Sequence, residues 1–546
     1  MELKSLPVGV STFKSIRTSD ALYVDKTEYL YKLIAHDNGR YFISRPRRFG
    51  KSLTCSTLAT IFEGDKKHFK GLWLETSKYN WKKAPVLHLD FNQIPHSTPE
   101  ELNKSLSETL DFEIQRNGLV SKSEILGLKL KYLIMDLSAK YGPVAVIIDE
   151  YDKPLLRQID KLETAEKMRD VLHELYGAFK GHDLDAHLRF LFVTGVSKFS
   201  KVSLFSDVNN LDDITLDEKY AALVGYTDGE VEANFHDHIQ ALADRRKENY
   251  TATFDELKHW YNGFRFSPAT TISVYNPVSL HLCLNKQAFD NYWFTTGTPN
   301  FLMKIMKHEP VVVKEFIGEP KHEIASSEQD AFEPSIYYKK IKILLLQTGY
   351  LTIKDVHAGG QKLELDYPNY EIRSSMTNQI FEFVAQIAPV KFIDYVERFR
   401  DALLNDDMED YCAGTRDMFK LIPYNLLMES ENYFQSLFAI MAKMIGAKVQ
   451  TELASNIGRA DVVIQVPESG IALNLKDRVY IFELKFNKTL EKALTQIQRK
   501  KYYETFKIEG KKKITLVGIN FKYKVKKSGK TKKVDFDVEW KIQKMK

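Results

Sequence analysis

The run Pro143-Val-Ala-Val-Ile-Ile148 is apolar at every position and ends in Asp149-Glu150. A strand with one face in water alternates apolar and polar residues. A run without alternation reads as a strand buried on both faces, as in a parallel sheet covered by helices. Val86-Leu-His-Leu-Asp90 and Arg189-Phe-Leu-Phe-Val-Thr194-Gly195 read as further strands of that sheet, separated by helical stretches such as Ala165–Phe179. The fold class expected for this part of the chain is α/β.

Tyr41-Phe-Ile-Ser44 is a short apolar run followed by Arg45-Pro-Arg-Arg-Phe-Gly50-Lys51-Ser52, and Leu53–Phe62 then has helical rhythm. Strand, Gly-Lys-Ser loop and helix are the context of a phosphate-binding loop. Backbone N–H groups around Gly50 and the helix N-terminus would cradle phosphates. Lys51 would reach the β- and γ-phosphates of ATP, and the Ser52 hydroxyl would ligate Mg2+. Arg45 stands where the pattern has its first glycine, so the loop is a variant. Asp149 would hold the Mg2+ shell and Glu150 would activate a water; the alternative is an acidic strand exit with no task. One strand between the two phosphate motifs, then a strand ending in a polar residue, is the order of additional-strand ATPases. Thr194 falls where a γ-phosphate sensor sits, or it only caps a strand end. Asp152 is either a supporting residue or a turn residue.

Several of these segments together resemble the bacterial AAA-ATPase-like family. They are Tyr23-Val-Asp25-Lys26-Thr27, Arg-Pro-Arg-Arg-Phe-Gly-Lys-Ser, Ile-Ile-Asp-Glu-Tyr-Asp-Lys-Pro, Thr194-Gly195-Val-Ser197-Lys198-Phe, Asp213-Ile-Thr215 and Trp260-Tyr-Asn-Gly263-Phe. The resemblance covers nearly the whole chain. It implies a P-loop NTPase with a parallel sheet of the additional-strand type, a mostly helical, winged-helix-like middle region, and a C-terminal α/β restriction-endonuclease-like domain of the PD-(D/E)XK superfamily. The expected boundaries are 1–215, 216–390 and 391–546. Asp25 also reads as a helix N-cap, with Glu28 at the capping-box position before Tyr29–Ile34.

The C-terminal part carries its own chemistry. In Tyr480-Ile-Phe-Glu483-Leu-Lys485, residues two apart on a strand project from one face, so Glu483 and Lys485 lie together. Asp461 opens another apolar run, Asp461-Val-Val-Ile-Gln-Val. This is the D…ExK arrangement of a metal-dependent nuclease. Asp461 and Glu483 would hold Mg2+ or Mn2+, with the Leu484 carbonyl as a further ligand, and Lys485 would orient or deprotonate the attacking water. The expected order is a helix carrying Glu431, strands over 447–452, 461–466 and 479–484 with a turn near Pro467–Gly470, and a helix over Leu490–Tyr503. Gln496 and Tyr502 on that helix match an element of related nuclease families, which implies that Gln496 positions substrate. The alternative is a fold kept for binding, with Glu483 in a salt bridge to a lysine. A second Gly-Lys-Thr, within Lys526–Lys533, lies between alternating runs and reads as a hairpin turn rather than a phosphate loop.

In the middle region Ile341–Leu351 reads as a helix, and Thr352-Ile-Lys-Asp355 and Tyr370-Glu-Ile-Arg373 as short strands. Arg265 or Arg373 is a candidate to serve the nucleotide. His236-Asp-His238 lacks a third nearby ligand and reads as surface rather than metal site.

A chain of 546 residues is too long for one ordinary core. No apolar stretch approaches the roughly 20 residues of a membrane span, and the N-terminus lacks the apolar core of a signal peptide. Three cysteines far apart in sequence point to a reducing, cytoplasmic setting. The net charge of +5 is uneven: lysines crowd from Lys485 to Lys546, among them Lys511-Lys512-Lys513, with aromatics interleaved, a composition that attracts phosphate backbones. The expected function is an ATP-regulated or ATP-driven nuclease acting on nucleic acid, DNA favoured by superfamily analogy, with no membrane partner and homo-oligomers left open. Two alternatives stand beside it: a nucleotide-switched module that grips DNA or protein without cutting, and a variant loop that binds ATP without turnover.

Overall fold

The computed structural model describes residues 3–35, 38–158, 161–180, 182–198, 211–293, 322–327, 341–385, 389–422, 427, 429–444, 448–455, 458–465, 478–501, 503–508, 513–528 and 531–545. Tyr502, the 467–470 turn, Lys511, Lys512 and Lys546 lie outside them. The chain divides into two compact units, Met1–Lys304 with Glu323–Ile372 and Ile305–His322 with Arg373–Lys546.

Five parallel strands form the main sheet of the first unit: β1 (Gly39–Ser44), β2 (Val86–Asp90), β3 (Val144–Asp149), β4 (Leu188–Gly195) and the short β5 (Asp212–Asp213). Their order is β2-β3-β4-β1-β5. β4 therefore stands between the strand entering the Gly-Lys-Ser loop and the strand ending in Asp149, the additional-strand arrangement. Every residue of β3 is buried, as its unbroken apolar run requires. Register brings the C-terminal ends together, with Asp149 beside Asp90 and Thr194 beside Ile43. Open parallel sheets bind their ligands at that edge.

Helix Lys51–Phe62 buries Cys55, Leu58, Ile61 and Phe62 against this sheet. Its threonines Thr54, Thr57 and Thr60 return their hydroxyls to the carbonyls of Gly50, Leu53 and Ser56 at 3.0, 2.7 and 2.8 Å, so these buried polar groups are satisfied.

Three capped helices follow. Asp228–Arg246 starts in a capping box between Thr227 and Glu230, and Asn249 and Asn276 cap Tyr250–Tyr261 and Pro277–Lys286. They share a core that includes Phe235, Leu242, Leu257, Tyr261 and Leu280 with Leu22 and Val24. A small sheet of β6 (His322–Ala325), β7 (Thr352–His357) and β8 (Lys362–Asp366) has the order β6-β8-β7, with helix Ile341–Thr348 between β6 and β7 in the chain.

Two local expectations need correction. Tyr370–Arg373 is the first turn of helix Tyr370–Ala385, not a strand. Asn369 Oδ1 accepts the Ile372 N–H at 3.0 Å, and this capping bond starts a helix where the short apolar-polar alternation suggested extension. Helix Thr27–Ile34 has Lys26 at its N-cap. Asp25, one residue earlier, still accepts the Thr27 N–H at 2.8 Å and also holds the Trp73 N–H at 2.6 Å, while Glu28 pairs with Lys32 instead of closing a box.

In the second unit helix Glu431–Met444 is followed by β9 (Lys448–Ser455), β10 (Gly458–Gln465), β11 (Arg478–Phe486), helix Leu490–Lys500, β12 (Lys513–Ser528) and β13 (Thr531–Lys544). The sheet order is β13-β12-β11-β10-β9. In this sheet only β11 and β12 pair in parallel. Helix Leu490–Lys500, with the short helix Tyr503–Ile508 after it, lies in the crossover such a pair needs, and the longer helix packs on the sheet. Its apolar face, Ala493, Leu494 and Ile497, lies close on the sheet: a Cβ on Gly518 would stand 3.0 Å from that of Ala493. The β12–β13 pairing runs to Ser528 opposite Thr531, so the hairpin strands take up most of 526–533 and a strand, not a helix, follows Gly-Lys-Thr.

Candidate functional sites

Arg45, in the place of the usual glycine, is 1% exposed. Its guanidinium donates to the carbonyls of Ser44, Thr215 and Tyr220 at 2.9, 2.7 and 3.2 Å and lies 4.4 Å from the Phe266 ring centre. The departure from the glycine pattern is thus a buried anchor. The rest of the loop is held as firmly. A Cβ on Gly349 would come within 2.7 Å of Pro46, the Trp293 indole donates to the Arg47 carbonyl at 3.1 Å, and Phe49 packs edge-on against Phe264 and Phe266.

Gly50 has φ +98°, a left-handed turn that glycine adopts without strain, and it delivers Lys51 as the first helical residue. The Lys51 ammonium donates to the carbonyls of Arg45 and Pro46 at 3.1 Å and lies 3.1 Å from Glu150 Oε1. The Ser52 side chain favours the ionised form of the Asp149 carboxyl. Burial, and then repulsion from Glu150, pushes that carboxyl up to about 7 despite Ser52 and Lys51. Asp149 Oδ1 and Thr194 Oγ1 are buried without a hydrogen-bond partner. An orphaned buried polar atom costs about 1–3 kcal/mol. Both atoms fit a group that arrives with a ligand, a cation at the carboxylate and a phosphate oxygen at the hydroxyl.

The loop opens on a cavity of about 590 Å³, inside the roughly 300–1,000 Å³ of ligand pockets. Lys51, Ser52 and Glu150 line its polar end, while Val8, Val10, Leu22, Val24 and Tyr226 line an apolar wall. Sequence reasoning did not assign that wall. Its signal lay in the apolar residues flanking Tyr23-Val-Asp25-Lys26. Asp152 is fully buried and accepts the N–H groups of Val196 and Ser197 at 3.2 and 2.6 Å. It ties the loop after β4 to the loop after β3. Arg265 is committed to the carbonyls of Ser267, Pro268 and Lys354, and Arg373 lies in helix Tyr370–Ala385. His238 is buried and sits 2.9 Å from the Lys4 carbonyl, not at the surface; His236 stacks near Tyr250.

The second cluster forms where β10 and β11 pair. The β10–β11 pairing ends with Val462 opposite Phe482, and Asp461 and Glu483 are the next residue on each strand beyond that pair. Asp461 Oδ2 accepts the Leu484 N–H at 2.7 Å, and the Gln435 side chain donates to the Asp461 carbonyl at 3.0 Å. The Lys485 ammonium lies 2.8 Å from Glu483 Oε1, 3.4 Å from Glu431 Oε1 and 3.8 Å from Asp461 Oδ2, and it donates to the Leu484 carbonyl at 3.1 Å. One cation among three carboxylates leaves room for a divalent ion. The buried Glu483 Oε2, which has no hydrogen-bond partner, fits that role. Burial, then the neighbouring Asp461, pushes the Glu483 carboxyl up to about 8. Burial pulls the Lys485 ammonium down, but the three carboxylates outweigh it and hold its pKa above the usual value. Gln496 lies half-buried on helix Leu490–Lys500.

Residues 7–205 match the family described as "Predicted AAA-ATPase", and residues 429–530 match the PD-(D/E)XK nuclease superfamily. A protein of Azotobacter chroococcum mcd 1, named "Uncharacterized protein in vnfD 5'region", is 34% identical over 535 residues, covering 95% of this chain and 97% of that protein. Its likeness therefore runs through both units. The chain belongs to the AAA-ATPase-like family, with a PD-(D/E)XK nuclease superfamily domain at its C-terminal end.

Proposed function

We propose that the phosphate-loop region binds and hydrolyses Mg2+·ATP, and that the C-terminal domain cuts phosphodiester bonds in nucleic acid, DNA favoured, under control of the nucleotide state. On this reading residues 1–215 are the ATPase, 216–390 its lid and 391–546 the nuclease. The observation that carries the proposal is the convergence of Asp461, Glu483, Lys485 and the Leu484 carbonyl at one place.

Asp461 and Glu483 would hold Mg2+ or Mn2+, which supplies a water of lowered pKa and a positive field for the phosphorane. Lys485, kept protonated by its carboxylates, orients the attacking water rather than removing its proton. Glu431 steers Lys485 and accepts the Phe486 N–H at 3.3 Å. In the ATPase, Lys51 and the N–H groups after Gly50 take the phosphates, Ser52 and Asp149 hold Mg2+, Glu150 activates the water and Thr194 reads the γ-phosphate. Three buried free cysteines accord with a reducing cytoplasm. Among the described residues no helix is long and apolar enough to cross a membrane.

The test is metal-dependent cleavage of DNA and of RNA by the full chain beside Glu483→Ala. The second reading, a switched module that grips without cutting, is favoured by the Lys485–Glu483 ion pair, which such a fold would also keep. It expects Glu483→Ala to leave nucleic-acid binding and cellular function intact while Lys51→Ala abolishes function.

A further inference from the structure

Beneath the phosphate loop, the Cys55 thiol, the His88 imidazole and the Asp149 carboxylate bring one donor atom each within 4.8 Å of one another. The sequence puts them there by three independent routes. Cys55 follows Ser52 by three positions on helix Lys51–Phe62, so both share a face of that helix. His88 pairs with Ile147 in the β2–β3 register, two residues before Asp149 and therefore on the same side of the sheet. Asp149 has one oxygen, Oδ1, buried without a partner. Cys55 and Asp149 are buried, whereas His88 reaches solvent and gives the cluster an entrance.

We propose that Cys55, His88 and Asp149 form a site for a thiophilic divalent cation of the zinc class, and that its occupancy excludes Mg2+·nucleotide from the phosphate loop. Thiolate, imidazole and carboxylate are a donor set for Zn2+ or Co2+, whereas Mg2+ takes oxygen ligands almost exclusively. Bonds of about 2.0–2.3 Å place tetrahedral donors about 3.3–3.8 Å apart, so the set closes by at most roughly 1–1.5 Å per donor pair, with the exposed imidazole free to supply its share. Binding is a ligand exchange: the thiol releases its proton to water, and the hexaaqua metal ion gives up five of its six waters while keeping one. Asp149 is common to both ions. A cation drawn toward Cys55 and His88 takes from Mg2+ the carboxylate that the Proposed function assigns to it, and this second half of the proposal rests on that reading.

The experiment is a Co2+ titration of the full chain under reducing conditions, read by optical absorption, for the native protein, Cys55→Ala and His88→Ala. Thiolate-to-cobalt charge transfer and tetrahedral d–d bands are expected in the native protein, displaced by Zn2+. Each variant should weaken Co2+ binding by at least about 100-fold, more than the loss of an outer-shell partner costs. Because His88 is exposed, its variant tests the site even if Cys55→Ala folds poorly. Excess Mg2+·ATP should bleach the bands and, reciprocally, Zn2+ should raise the apparent Kd for Mg2+·ATP. No thiolate band, or one that persists in both variants, overturns the site. Bands that are lost in the variants but indifferent to Mg2+·ATP overturn the exclusion, and ATP binding measured without Zn2+ shows separately whether the loop takes nucleotide at all.

Discussion

Asp461 Oδ2 accepts the backbone N–H of Leu484 at 2.7 Å, so the first carboxylate of the nuclease cluster is pinned to the strand that carries the second. A carboxamide can accept the same hydrogen bond but has no charge for a cation. Asp461→Asn is therefore expected to lower metal-dependent cleavage by more than about 100-fold while changing stability by about 1 kcal/mol or less. Asp461→Ala should lose the same activity and about 1–2 kcal/mol of stability besides, because it leaves that N–H without its acceptor. Cleavage assays with thermal melts of both variants separate the two roles.

Metal binding at this cluster should depend on pH in a defined direction. With the Glu483 carboxyl pushed up to about 8, a proton competes with the metal below that value. Affinity for Mg2+ or Mn2+ is expected to rise by up to about tenfold per pH unit from pH 6 toward 8, then level off. Calorimetry at pH 6.5 and 8.5, with proton release read from buffers of different ionisation enthalpy, checks this. Affinity independent of pH would contradict it.

Lys51 touches Glu150 at 3.1 Å, so the residue assigned to the phosphates and the residue assigned to the water are paired. Glu150→Gln should bind ATP within about threefold of the native protein yet hydrolyse it at least about 100-fold more slowly, since water activation acts on the rate and not on binding. Lys51→Ala should weaken ATP binding itself by about tenfold or more. Nucleotide titrations and single-turnover hydrolysis distinguish the variants.

Arg45→Gly would restore the glycine of the usual phosphate-loop pattern. It is nevertheless expected to destabilise the first unit by about 2–4 kcal/mol and to weaken nucleotide binding, because three carbonyls and the Phe266 ring lose their partner. A gain in ATP affinity would show that the anchor has been misread.

Glu371 gives a stability test away from both clusters. Burial pushes its carboxyl up to about 8 although it accepts the Trp293 N–H at 2.6 Å and the Ser279 hydroxyl at 3.1 Å. The folded protein retains this proton where the unfolded chain, with the ordinary carboxyl value of 4.5, has released it. The stabilising effect is full below that value and declines as pH rises to about 8. Glu371→Gln keeps an acceptor and removes the titration. It should raise stability by up to roughly 5 kcal/mol at pH 8.5 and change it little at pH 4.5. Denaturant melts at the two pH values decide.

Strong local patterns carried most of this architecture. The unbroken apolar β3 run, the Gly-Lys-Ser turn and the Glu483–Lys485 spacing each admit few backbone solutions, and the additional strand standing between the two phosphate-motif strands in the sheet is β4. What stayed hidden depended on partners distant in sequence. Nothing near Arg45 shows that Thr215, Tyr220 and Phe266 would receive it, and nothing near Asp152 shows that it would hold Val196 and Ser197. Tyr370–Arg373 was misread because four residues are too few to separate a strand from a first helical turn, where Asn369 decides. His238 looked exposed because its burial comes from the Lys4 segment, at the far end of the first unit's sequence.

The most direct measurement is cleavage of plasmid and linear DNA by the full chain in Mg2+ or Mn2+, with and without ATP, beside Glu483→Ala and Lys51→Ala. The account predicts metal-dependent cutting that Glu483→Ala abolishes and that responds to ATP only when Lys51 is present. Absence of cutting under every condition, from protein that still binds ATP, or cutting that survives Glu483→Ala, would contradict it.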